Sequence, residues 1–73
     1  MEKLIEEIKK EWNQIVVEIS SDEIENLDSI ELQDNSSTYF NNFCVERTSE
    51  DSILYVTEKR DDCWYFAGYL KQL

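Results

Sequence analysis

Residues 52–70 read SILYVTEKRDDCWYFAGYL and contain the two clearest strand patterns in the chain. Segments 52–58 and 63–70 are rich in β-branched and aromatic residues, which favour strands. The four residues between them, 59–62, are charged and form a connection short enough for a hairpin. This stretch therefore predicts two paired antiparallel strands.

The register of this hairpin decides which side chains share a face of the sheet. With Glu58 opposite Cys63, one face carries an apolar set from both strands and from the strand before them: Phe43, Val45, Leu54, Val56, Tyr65 and Ala67. The other face then shows Ile53, Tyr55, Trp64, Phe66 and Leu70. Because both faces of the last strand are apolar, we expect one under a helix. The other needs a second cover, which is a short helix, a partner protein or another copy of the chain.

The remaining strands and turns follow from the residues around this hairpin. Residues 38–48 predict one strand and residues 29–33 a short solvent-facing one, with turns at 34–37 and 49–52. Gly68, the only glycine, lies inside a strand pattern, which indicates a bulge, a close approach of another backbone or a packing gap. Cys44 and Cys63 would lie on strands separated by a third, about 10 Å apart, and are expected to be free thiols.

The first half of the chain is predicted to be helical. Apolar residues at intervals of three and four draw one stripe, and we expect a helix over 2–18, whose stripe comprises Leu4, Ile5, Ile8, Trp12, Ile15, Val16 and Ile19. The β-branched run 15–19 also alternates, so a strand is the alternative there. Ser20 and Glu23 form a capping-box pattern that predicts a short second helix, with Ile24 and Leu27 pointing inward.

Together these patterns predict one small α+β domain over residues 1–73. In it an N-terminal amphipathic helix, plus the short second helix, packs on a 3–4-stranded antiparallel meander. The N-terminal residues carry acids throughout and show neither the apolar core of a signal peptide nor a membrane span. We therefore expect a cytoplasmic protein.

The residue types present exclude most catalytic chemistry. The chain has no histidine and two cysteines, so imidazole-based catalysis and a four-ligand zinc site are both excluded. Residues 34–45 lack the glycine and the final glutamate that a calcium-binding EF-hand loop requires. A chain of 73 residues also has little room for a lined pocket. We expect a protein that is not an enzyme and has no cofactor, no metal and no catalytic residue.

The charge distribution is the strongest functional signal in the sequence. Seventeen acids against seven bases give a formal charge of −10, and no Lys or Arg occurs between Lys10 and Arg47. Such a field repels nucleic acid and anionic membranes and attracts basic surfaces. We expect a basic protein partner, a nucleic-acid-binding enzyme or effector, and no direct contact with nucleic acid or membrane. The predicted contacts are Glu18, Asp22, Glu23, Glu25, Asp28, Glu31 and Asp34.

These acids predict an inhibitor that mimics nucleic acid. Closely spaced carboxylates present charge at roughly the density of phosphates along a duplex, so they would fit a cleft built for DNA or RNA. Tyr39 is a candidate apolar anchor, while Phe40 is expected in the core. In size, charge and lack of catalytic residues the chain resembles small phage-encoded inhibitors of DNA-binding clefts, such as anti-CRISPR proteins and the uracil-DNA glycosylase inhibitor. The resemblance lies in composition, with no shared motif, and implies a viral protein acting in the host cytoplasm.

Two other classes fit the same composition. An antitoxin or immunity protein would also meet a basic toxin with an acidic face. A small assembly subunit would instead use the apolar sheet face, for example in a homodimer through the sheet. Salt separates these classes, because charge-led binding weakens with ionic strength and an apolar contact does not.

Overall fold

A computed structural model describes all residues 1–73 and places one helix against one face of a five-stranded antiparallel sheet. The strand order is β1-β5-β4-β3-β2, so the first two strands form the two edges. The predicted α+β class is confirmed, whereas the prediction of three to four strands is wrong because five are formed. The elements are α1 Glu2–Trp12, β1 Val16–Ile19, β2 Thr38–Phe40, β3 Phe43–Arg47, β4 Ile53–Arg60 and β5 Cys63–Gln72.

The helix is shorter than the apolar stripe predicted. It ends at Trp12, where Asn13 adopts the left-handed conformation (φ 53°) that commonly closes a helix. The following β-branched residues form β1, which pairs with the end of β5 from Val16 opposite Gln72 to Ile19 opposite Tyr69. The predicted helix over 13–18 is therefore wrong. The alternative prediction of a strand is confirmed, because the backbone N–H and C=O groups of β5 pair with those of this segment.

The predicted second helix is also wrong. Two separate 3-10 turns, Ser21–Glu23 and Leu27–Ser29, take its place, and Asn26 interrupts them with a positive φ of 57°. Ser20 does occupy the N-cap position, but its hydroxyl donates to the Glu23 carboxylate at 3.4 Å and caps no backbone amide. The strand predicted over 29–33 is reduced to one bridge between Leu32 and Thr48.

Two hairpin turns differ from those predicted. The single strand predicted over 38–48 is split into β2 and β3 by a two-residue turn at Asn41 and Asn42, where Asn41 has a φ of 54°. The β4–β5 loop is two residues long, not four, because Arg60 pairs with Cys63. The turn at 49–52 is confirmed.

The longer β4–β5 hairpin changes the register and introduces a bulge. Glu58 lies opposite Tyr65, Val56 opposite Gly68 and Leu54 opposite Leu70, so the predicted pairings are wrong. Between Val56 and Thr57 the register shifts by one residue, which is a β-bulge, one of the three alternatives that the sequence left open at Gly68. Since one extra residue reverses the alternation, Leu70 faces the helix and the prediction that it lies on the other face is wrong.

The core lies between α1 and this face of the sheet. Leu4 and Ile8 of the helix are buried against side chains from all five strands, namely Val16, Phe40, Val45, Leu54, Val56 and Leu70. Phe40 is in the core as predicted, with its ring 5.5 Å from that of Trp12. Cys44 is buried, Cys63 is exposed and both are free thiols, as expected. None of the helices has the length and apolarity required to cross a membrane.

Candidate partner-binding surfaces

Residues 20–37, which we call the crossover, connect the two edge strands and therefore cross the sheet. They cross on the face opposite α1, which we call the second face. Ile24 is buried there and lines a cleft with Ile19 and Ile53, both of which point to the second face. The crossover thus covers the end of the second face at which β4 begins. It provides part of the second cover that the apolar strands require.

Hydrogen bonds fix the last part of the crossover to the end of β3. The Ser49 amide donates to the Glu31 carbonyl at 2.8 Å, and the Gln33 amide donates to the Arg47 carbonyl at 2.9 Å. The Ser36 hydroxyl accepts from the Arg47 amide at 3.0 Å and donates to the Gln33 carbonyl at 2.7 Å. Residues 31–36 are therefore held at a defined position beside the sheet, although they contain no regular strand.

The acidic side chains of the crossover are exposed and form no ion pair. All six predicted contacts in this segment lie in solvent, namely Asp22, Glu23, Glu25, Asp28, Glu31 and Asp34. The ion pair of the molecule joins Arg60 to Glu58 at 3.9 Å, on another element. The adjacent turn adds two more exposed acids, Glu50 and Asp51. Glu23, Glu25 and Glu50 line the cleft of about 350 Å³ beside Ile24, where one base, Lys71, accompanies them.

Glu18, the seventh predicted contact, lies elsewhere. It belongs to β1 and stands opposite Leu70, on the face of the sheet that packs against the helix. There it lines a shallow recess with Glu2 and Lys3 at the start of α1. The sheet separates Glu18 from the crossover, so the seven predicted residues do not lie on one face of the molecule.

Five aromatic side chains occupy the part of the second face that the crossover leaves open. We call them the aromatic patch, which comprises Tyr39, Tyr55, Trp64, Phe66 and Tyr69. Ring centroids are 5.3 Å apart for Tyr55 and Phe66, 5.2 Å for Phe66 and Tyr69, and 5.7 Å for Tyr55 and Tyr69. Tyr39 and Trp64 form a second contact at 5.7 Å. Tilted and edge-to-face geometries at these distances are favourable aromatic contacts.

The patch is open to solvent even though its rings touch each other. The exposed fractions are 66% for Tyr39, 43% for Trp64 and 54% for Phe66. Tyr39 and Trp64 lie on β2 and β5, and the two strands between them carry the small side chains of Cys44 and Thr57, which pair with each other. The Tyr39 and Trp64 rings therefore contact each other above the small side chains of the two strands between them.

Few charged groups stand among these rings. On the second face, β3 contributes Glu46, β4 contributes Lys59 and β5 contributes Lys71. Glu46 lies opposite Tyr55. Burial raises the pKa of the Tyr55 hydroxyl, and the nearby Tyr69 and Glu46 raise it further. The strands therefore contribute one carboxylate and two ammonium groups around the aromatic patch, and the β4–β5 turn next to Trp64 adds the exposed acids Asp61 and Asp62.

Part of this surface was predicted from the sequence. Tyr55, Trp64 and Phe66 were predicted to share one face of the sheet, which is confirmed, and the role of Tyr39 as an apolar anchor stays a prediction. Tyr69 was missed because the bulge exchanges its orientation with that of Leu70. Gly68 was the signal that could have revealed the exchange, since an isolated glycine in a strand marks such irregularities.

Comparisons with known proteins do not indicate a function for these surfaces. No family model matches the chain, and neither the curated proteins nor the solved structures gave a match. No group of three or more His, Cys, Asp or Glu side chains is arranged to hold a metal ion. Function must therefore be inferred from the chemistry of the crossover and the aromatic patch.

Proposed function

We propose that this protein is an inhibitor that binds the basic nucleic-acid-binding surface of another protein and occupies it in place of nucleic acid. The observation that carries this proposal is the crossover, in which six exposed carboxylates follow one another without a base and without an ion pair. A partner rich in arginine and lysine would supply the missing counter-charges.

The spacing of these acids supports a collective effect. Successive acids in the crossover, from Asp22 to Asp34, are at most three residues apart. Three residues of extended chain span at most about 10 Å, which is close to the screening length of physiological salt. Neighbouring carboxylates therefore reinforce one another, as phosphates do along a nucleic acid strand. Hydrogen bonds from β3 to residues 31–36 hold part of this array in place before any partner arrives.

Partner capture with competition by nucleic acid tests the proposal. The protein is immobilised, exposed to cell lysate and washed, and bound proteins are then challenged with duplex DNA and with RNA. We expect nucleic acid to displace the bound proteins, and we expect binding to fall steeply as salt rises from about 0.05 M to about 0.5 M. Captured proteins that resist both nucleic acid and salt would contradict the proposed mimicry.

A matched pair of variants locates the binding surface. Asp28→Asn, Glu31→Gln and Asp34→Asn together remove three exposed charges of the crossover, whose carboxylates make no hydrogen bond or ion pair within the molecule. The control is Glu2→Gln, Glu6→Gln and Glu11→Gln. It removes three exposed charges from α1, so its net charge equals that of the crossover variant. We expect the crossover variant to lose partner binding by about 100-fold and the helix variant by less than about threefold. Equal losses would show that net charge, not the crossover, governs binding.

A further inference from the structure

The aromatic patch is the largest feature of the surface that the proposed function leaves unused. Exposed large apolar side chains scattered singly over a surface are ordinary, but here five aromatic rings lie on one face in two contact groups, Tyr39 with Trp64 and Tyr55 with Phe66 and Tyr69. The helix covers the other face of the same sheet, and the crossover covers only the end where β4 begins. An antiparallel sheet whose second face is aromatic and open is typical of an interface.

Charge decides which partner suits this patch. The crossover and the turn after β3 carry eight acids and no base, so a second copy could not approach another through those segments. On the second face the strands place one acid, Glu46, and two bases, Lys59 and Lys71, around the aromatic patch, so the patch is less acidic than the crossover. These lysines also disfavour a basic partner at this place. Two copies meeting face to face could set the Glu46 carboxylate of each against a lysine of the other.

The rings themselves favour a protein surface over nucleic acid. Single-stranded nucleic acid stacks its bases on separate, accessible ring faces beside a basic groove. Here each ring of the patch contacts another ring at 5.2–5.7 Å within one of two groups, so the rings are not separate stacking platforms, and the acidic crossover borders the patch. We propose that the aromatic patch is a homodimer interface, through which two copies of this chain pack sheet to sheet with α1 on the outside.

The exposed area sets the expected strength. An aromatic side chain buries about 150–250 Å² when fully covered, so Tyr39, Trp64 and Phe66 together leave roughly 300 Å² for a partner. With the parts of Tyr55 and Tyr69 that remain exposed, each copy would contribute about 400–500 Å², which gives a total of about 800–1,000 Å², below the roughly 1,200 Å² at which stable specific interfaces begin. We expect a weak dimer with a dissociation constant of roughly 10–100 µM, because interfaces of this size belong to the transient class.

Sedimentation velocity measured against concentration and salt tests the dimer. We expect monomers at about 1 µM and mostly dimers at about 500 µM, with association unchanged or stronger when NaCl rises from about 0.05 M to about 0.5 M, since salt screens the repulsion between two acidic copies. The proposed binding of a basic partner has the opposite salt dependence, so failure of either proposal can be recognised without the other. A chain that stays monomeric at about 500 µM overturns the dimer.

Two adjacent residues of β5 provide the variant and its control. Phe66 faces the patch, whereas Tyr65 points to the other face of the same strand and is exposed to a similar extent, 45% against 54%. Phe66→Thr should weaken the dimer at least tenfold, while Tyr65→Thr should change it less than about twofold. An equal effect of both, or a larger effect of Tyr65→Thr, overturns the assignment of the patch as the interface.

A fluorescence measurement keeps the test decisive if Phe66→Thr fails to fold. Trp12→Phe leaves Trp64 as the one tryptophan, within the proposed interface, while the smaller ring introduced by this change can still pack against Phe40. Its emission should shift to shorter wavelength as concentration rises through the dimer range, because dimerisation removes water from the ring. Emission that is independent of concentration overturns the proposal. So does a blue shift that requires a single-stranded oligonucleotide, which would identify the patch as a nucleic acid platform.

Discussion

Gly68 determines which side chains of β5 face the helix. Its φ of 148° lies in a region that residues with a side chain rarely adopt, and a Cβ atom added there would lie 2.6 Å from Cε of Met1. The bulge beside it, where Ala67 is the extra residue between Phe66 and Gly68, turns Leu70 into the core and Tyr69 onto the second face. The irregular backbone at Gly68 thus determines both that Leu70 is in the core and that Tyr69 belongs to the aromatic patch.

Gly68→Ala should therefore destabilise the fold by about 1–3 kcal/mol, the usual cost of holding a residue in a sparsely populated backbone region. The methionine end is flexible and can move, so most of this cost should come from the backbone and not from the contact with Met1. Urea unfolding followed by circular dichroism measures the change. A variant as stable as the parent would show that the backbone at Gly68 relaxes without strain.

The same residue marks the limit of sequence-based prediction for side-chain orientation. Alternation correctly placed Leu54, Val56 and Val45 on one common face, because β3 and β4 up to Val56 follow a regular period of two. It failed for Leu70, which follows the bulge, since a single inserted residue reverses every later side chain. The presence of Gly68 indicates an irregularity, but the number of inserted residues depends on the partner strand.

At the scale of elements, the β4–β5 turn contains no glycine, although its backbone adopts a conformation that glycine favours. Asp61 and Asp62 have φ values of 51° and 65°, so both central residues of this two-residue turn lie in the left-handed region. Such turns match the twist of a hairpin and prefer Asn-Gly. The double substitution Asp61→Asn with Asp62→Gly should stabilise the protein by about 0.5–1 kcal/mol.

The control for this turn removes the same charge without changing backbone preference. Glu50→Gln with Asp51→Asn neutralises two acids in the exposed turn between β3 and β4, where neither residue has a positive φ. Thermal unfolding should show an increase of several degrees for the Asn-Gly variant, at about 4–8 °C per kcal/mol, and a smaller one for the control. Equal increases would assign the gain to relief of charge repulsion.

Elements were predictable from the sequence where their signal is local. Strands β4 and β5 were recognised because their β-branched and aromatic runs are continuous, and α1 because its apolar stripe has a clear period as far as Trp12. The hairpin turn at Asn41 and Asn42 was missed because it lies within an apolar run and contains neither glycine nor proline. The conformation of 16–19 could not be decided locally, since it depends on pairing with β5, more than 50 residues later in the sequence.

At the scale of the whole molecule, eight of the seventeen acids lie in two segments that contain no base. The surface of α1 alternates four acids with three bases, whereas the crossover and the turn after β3 together hold eight acids and no base. The exposure of the crossover acids was predictable from the sequence, because charged side chains are rarely buried without a partner. Their separation from Glu18 by the sheet was not, because it depends on the position of β1 at the sheet edge.

This uneven distribution should make stability depend on salt and on the position of the charges removed. Since the crossover acids outnumber Lys71, the one base that lines their cleft, neutralising Asp28, Glu31 and Asp34 should raise the free energy of unfolding, by about 1 kcal/mol at low salt. The helix variant at Glu2, Glu6 and Glu11 loses attractions to Lys3, Lys9 and Lys10 together with repulsions, so its stability should change little.

Thermal unfolding of both variants and the parent, between about 0.02 M and about 0.3 M NaCl, measures these effects over the range in which screening lengths fall below the spacing of the acids. Salt should stabilise the parent and the helix variant to a similar degree and the crossover variant less, because that variant has less repulsion left to screen. If both variants respond to salt alike, the repulsion is a property of net charge spread over the whole surface. In that case the crossover acids would destabilise the fold no more than other surface acids do, and the charge repulsion would no longer support the crossover as a partner-binding segment.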